Sequence, residues 1–192
     1  MKQLLLMTLL SFAFIACSSD QKPASENKDT VVKSMAAPTV NEKDKKTDEL
    51  KKAPQLTLEQ MRTLLPPELD SAKEKNYQAS TQFGYGLATA EYPKTKTKRI
   101  KVTLYDCAGE SGYVNYFENY WNHLYAQSQT DTEFRKTIDF EGGKAVETYK
   151  KDMNHSTLTF VVRERLVIVM EGRNMSPEEL EAAAKKLHAK IT

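Results

Sequence analysis

Two short runs in the C-terminal third of the chain, Leu158-Thr159-Phe160-Val161-Val162 and Leu166-Val167-Ile168-Val169-Met170, are apolar at almost every position, and only Arg163-Glu164-Arg165 separates them. Successive residues of a strand point to opposite faces, so a run that is apolar on both faces needs cover on both. The pair predicts central strands of a sheet, joined by a tight turn and packed on each side. Lys136 to Phe140 and Lys144 to Lys151 complete a four-strand meander, with Glu141-Gly142-Gly143 as its first turn and Asn154-His155 as its second. Glycine suits the first turn because a tight hairpin requires positive φ.

Further upstream, Ile100, Val102 and Leu104 alternate with Lys101, Thr103 and Tyr105 across Lys98 to Tyr105. Phe83, Tyr85 and Leu87 alternate around Gly84 and Gly86 within Tyr77 to Tyr92. Both segments read as strands by their period of two. The link between them, Pro93 to Thr97, is polar, and its lysines with Arg99 and Lys101 form the densest basic cluster of the chain. Such a cluster is expected to act as a solvated edge that discourages strand addition.

Three helices are predicted. Thr57-Leu58-Glu59-Gln60 fits a capping box, and the helix it opens stops at Pro66-Pro67. Ser176-Pro177-Glu178-Glu179 opens the last helix in the same way, with Leu180, Ala183, Ala184, Leu187 and Ile191 on one face. Between Tyr113 and Ala126, one half of the helical wheel carries Tyr113, Tyr116, Phe117, Tyr120, Trp121, Leu124 and Tyr125. The other half carries Asn115, Glu118, Asn119, Asn122 and His123. That aromatic stripe is expected to dock on the sheet. Tyr116, Tyr120, Trp121 and Tyr125 are the candidate binding surface if part of the stripe faces out, since their polar tips favour the rim of an interface. The order α-ββ-α-ββββ-α predicts an α+β fold, an antiparallel sheet of about six strands with helices packed on it. In element order alone it is similar to small Mog1/PsbP-like domains.

The N-terminus has a different character. Met1 and Lys2 precede an apolar run from Leu4 to Ala16 that ends at Cys17, the layout of a secretory signal and too short to cross a bilayer. Phe14-Ile15-Ala16-Cys17 resembles a lipobox, in a form similar to those of Bacteroidota. The resemblance implies a bacterial lipoprotein: residues 1–16 are cleaved, and Cys17 carries a diacylglycerol that anchors the chain to the membrane. Ser18 follows where aspartate would favour the inner membrane, so the implied address is the outer membrane. Residues 17–54 are rich in Lys, Glu, Asp, Ser and Pro, and they are expected to form a disordered tether with a reach of about 30 to 40 Å. Residues 55–192 then form one domain. Asp29-Thr30-Val31 and Asp70-Ser71-Ala72 resemble a three-residue O-glycosylation signal.

Chemistry is sparse. Without Cys17, Cys107 is the only thiol, so no intramolecular disulfide is available. It is the one candidate reactive thiol, flanked by Asp106 and followed by His123. That histidine, however, lies on the polar side of the predicted helix and about 15 Å along its axis. The three histidines have no paired ligand spacing, so neither a metal nor another cofactor is expected. A net charge of +2 offers no broad basic face and argues against nucleic acid as a partner. The reading is a membrane-anchored, noncatalytic binding or structural module of the cell envelope, with an envelope protein or peptide as partner. The alternatives are a small-ligand carrier with a pocket between sheet and aromatic helix, and a thiol enzyme centred on Cys107.

Overall fold

The computed structural model describes residues 39–192. The signal segment, Cys17 and Asp29-Thr30-Val31 lie outside the described residues. The chain begins with helices α1 (Val40–Lys52) and α2 (Leu58–Leu64), followed by a ribbon of β1 (Glu68–Leu69) and β2 (Ala72–Lys73). Next come β3 (Lys75–Ser80), β4 (Gly86–Pro93), β5 (Arg99–Asp106) and α3 (Tyr113–Asn119) with a 3-10 turn at Trp121–His123. The meander consists of β6 (Ser128–Gln129), β7 (Glu133–Phe140), β8 (Gly143–Lys150), β9 (His155–Val162) and β10 (Leu166–Arg173), and α4 (Pro177–Ile191) closes the chain.

Strands β3 to β10 form one antiparallel sheet in the order β3-β4-β5-β10-β9-β8-β7-β6. The fold is α+β, as the element order predicts, but the main sheet has eight strands rather than six. One extra strand arises because residues 77–92 are two strands, not one. The chain turns over between Ser80 and Gly86, where Gly84 takes φ +76°. Phe83 and Tyr85 therefore belong to the turn, not to a strand. The other is β6, a two-residue strand too short to show any period.

Strands β9 and β10 lie at the centre with cover on both faces, as their apolar composition requires. On one face, Leu158, Phe160, Val162, Leu166, Ile168 and Met170 pack against the buried stripe of α4 and against Met61, Leu64 and Leu65 at α2. Both capping boxes predicted for these helices form. The other face carries a smaller cluster, in which Tyr116, Phe117, Tyr120 and Leu124 lie over Val146 and Val167.

Residues 40–52, assigned to the tether on composition, are instead the helix α1. Thr39 and Glu42 cap it reciprocally, with Thr39 N–H donating to Glu42 at 2.8 Å. Its one buried side chain, Leu50, joins the aromatic cluster at 2% exposure. Lys51 Nζ lies 4.7 Å from the centroid of the Tyr113 ring, Lys43 5.2 Å from Phe117 and Lys46 5.6 Å from Tyr116. Lysine stems can cover apolar surface while their ammonium groups stay in water, so a helix that looks solvated by composition can dock on an aromatic wall.

Candidate functional site

The aromatic helix is shorter than its periodicity suggests. Helix α3 ends at Asn119, and Tyr120 takes φ −133° and ψ −67°, outside helical geometry. Two tertiary hydrogen bonds hold the break: Tyr120 donates its hydroxyl to Lys144 O at 2.8 Å, and Thr137 Oγ1 donates to Leu124 O at 2.6 Å. Tyr116 and Tyr120 are buried, Trp121 is half-buried and Tyr125 is exposed. The four candidate surface residues thus divide between core and rim. The nearest concavity is an open groove of about 480 Å³ that α1, Trp121 and the β7–β8 turn share.

Cys107 is fully buried, and its sulfur lies 3.7 Å from Tyr105 O. Burial pushes the thiol up to about 12, so almost no thiolate exists at neutral pH. Asp106 commits both carboxylate oxygens elsewhere. Arg165 donates to it through Nε at 2.9 Å and through Nη2 at 2.6 and 2.8 Å, and Leu56 N–H donates at 2.6 Å. His123 Nδ1 lies 3.4 Å from Arg135. The fold gives these residues structural partners rather than assembling a Cys-His-acid site. The Asp106–Arg165 pair ties the end of β5 to the β9–β10 turn and to the entrance of α2. Nearby, Gly112 lets the loop enter α3, because a Cβ there would lie 2.1 Å from Ala108 O. Among the described residues, no group of three or more His, Cys, Asp or Glu is placed to hold a metal ion. Asp70-Ser71-Ala72 forms the β1–β2 turn, with Ser71 exposed and Asp70 paired with Lys94 and Lys186.

The surface that sequence reasoning missed lies on the α3 side of the sheet, beyond the reach of that helix. Pairing across β4, β5, β10 and β9 aligns Glu91, Lys101, Glu171 and Thr157 in one row. Pro93, Arg99, Arg173 and His155 form the next row. All of these but Thr157 and Pro93 line an open cleft of about 750 Å³ together with Asn174 and Met153, and none of its lining residues is helical. At the other end of β4 and β5 an aromatic ladder reaches the surface. Phe83, 63% exposed, stacks on Tyr85 at 6.0 Å, and Tyr85 lies 6.5 Å from Tyr105.

The basic cluster around the β4–β5 hairpin is not the sheet edge, since β3 flanks β4. Its residues divide between the two faces of the sheet. Lys94 pairs with Asp70 and Lys98 with Glu179 at 2.6 Å, bridging to the β1–β2 turn and to α4, whereas Arg99 and Lys101 line the cleft. The signal that could have located the cleft was the period-two phase of β5 and β10, but its use requires their register. Among the described residues no helix is long and apolar enough to cross a membrane. Comparison of the chain with protein-family models, curated proteins and solved structures finds no match.

Proposed function

We propose that this chain is a lipid-anchored, noncatalytic binding module of the bacterial cell envelope. Cys17 holds it at the outer membrane, and the uncovered part of the sheet faces its ligand. The observation that carries this reading is the contrast between the two ends of one sheet face. Where α1 and α3 pack, side chains close the surface; beyond them, charged side chains floor an open cleft, and an aromatic ladder reaches the surface at the opposite end of β4 and β5. Rigid strands are a good support for such a surface because they fix the spacing of the side chains that contact the ligand. The burial of Cys107 supports a noncatalytic role, since a thiol held as the neutral acid is a poor nucleophile.

The tight packing of Tyr116, Phe117, Tyr120 and Leu124 over the sheet disfavours a carrier pocket beneath the aromatic helix. Cell fractionation tests the anchor. Wild-type chain should partition with membranes and Cys17→Ala should not, because several acyl chains hold a protein durably and none holds it at all. Membrane retention of Cys17→Ala at the normal mature mass would refute the anchor.

A further inference from the structure

We propose that Arg99, Arg173 and His155 form the recognition row for the phosphate or carboxylate group of a small hydroxyl-bearing ligand, such as a sugar phosphate or a sugar acid. The inference rests on the binding-module reading and names what the open cleft takes. Arg99 is the cross-strand partner of Arg173, and Arg173 is the partner of His155, so two guanidinium groups and an imidazole sit side by side on adjacent strands. Neighbouring strands lie about 4.8 Å apart. Like charges directly opposite each other on an antiparallel pair destabilise it.

The carboxylates of the cleft do not relieve the crowding of the two arginines. Glu171 pairs with Lys101 at 3.4 Å and lies 4.0 Å from His155 Nε2, and Glu91 accepts from Asn76 Nδ2 at 3.0 Å. Among the described residues neither arginine has a carboxylate within salt-bridge distance. Two adjacent guanidinium groups can each present a fork of donors, which suits an anionic group with several oxygens.

The second row selects for the rest of the ligand. Glu171 lies two residues along β10 from Arg173, or about 7 Å, and Glu91, opposite Lys101 on β4, lies diagonally across from Arg99. At that distance they accept from hydroxyl groups and repel a second anion. A flat anionic membrane would bring its charge against these carboxylates as well as the arginines. The concave shape of the cleft also favours a small head over a plane.

The test uses full-length chain in detergent and isothermal titration with glucose 1-phosphate, glucuronate and neutral glucose. At least one acid should bind at one saturable site and glucose should not. The arm that binds distinguishes phosphate from carboxylate. The double variant R99Q/R173Q should weaken binding by about tenfold or more, whereas Lys45→Gln on α1 should leave it unchanged. R99Q/R173Q should also unfold at a temperature equal to or above wild type, which separates a lost site from a lost fold.

Equal binding by R99Q/R173Q, no saturable binding by either acid, or capture on anionic vesicles that neither acid competes away would each overturn the proposal. A negative result here leaves the module reading standing, since crosslinking from the same face tests that separately.

Discussion

Truncating Leu50 tests whether α1 belongs to the folded domain or to the tether. Leu50 is the only buried side chain of α1 and is 2% exposed. Burying a leucine contributes about 1.5–3 kcal/mol, and each exposed cation–π contact contributes about 0.5–1. Leu50→Ala should therefore remove about 2 kcal/mol, the low end of the usual leucine-to-alanine range, because the site opens to water rather than leaving a sealed cavity. That loss is a large share of what holds α1, so the helix should detach while the sheet stays folded. A change of about 2 kcal/mol raises the open population by roughly thirtyfold.

Native-state hydrogen exchange reads this directly. Amides of α1 and the Gly109 amide, which donates to Leu50 O at 2.9 Å, should exchange about thirtyfold faster. Amides of β9 and β10 should change far less. Trp121, the only tryptophan, borders the α1 groove and should shift its fluorescence to the red. Unchanged α1 exchange would refute the docking account, and equal acceleration in β10 would show that α1 does not open separately.

Three further outcomes follow from the same contacts. Asp106→Ala leaves Arg165 as a charge without its buried partner, and it should cost about 3–5 kcal/mol in denaturant unfolding; a loss under about 1 kcal/mol would contradict the pairing. In Cys17→Ser chain, Cys107 should resist a thiol reagent at pH 8 and react fully in denaturant; rapid labelling of native protein would contradict its burial. The ammonium groups of Lys186 and Lys94 hold the Asp70 carboxyl below its usual range. A carboxyl lowered in the folded state stabilises the fold above its unfolded value near about pH 4 and loses that contribution as pH falls further. Asp70→Asn should thus lower the wild-type Tm at neutral pH and converge with it in acid, and a constant difference across that range would contradict the assignment.

Much of the fold is legible because it is written locally. The capping boxes at Thr57 and Ser176 place two helices, and the two apolar runs place β9 and β10 at the centre. Composition hides α1, whose apolar surface is one leucine and the stems of lysines, although Thr39-Val40-Asn41-Glu42 is a capping box in plain view. The break at Tyr120 is not local at all. No proline or glycine marks it, and the bonds that hold it reach Lys144 and Thr137 in the meander.

The site is legible only in part for the same reason. The aromatic stripe announces itself in sequence, but half of it is core. The arginine row appears only when β5 pairs with β10, two strands separated in sequence by α3 and strands β6 to β9.

Under the proposed function, the open face of the sheet, presented from a lipid anchor at Cys17, is where this chain meets its ligand. A photoreactive residue at Thr89, between the aromatic ladder and the cleft, tests it in living cells against the same residue at Lys185 on α4. Thr89 should give one adduct of defined mass and Lys185 none, and the Thr89 adduct should be lost in Cys17→Ala. Equal adducts from both positions, or adducts from Lys185 alone, would contradict it.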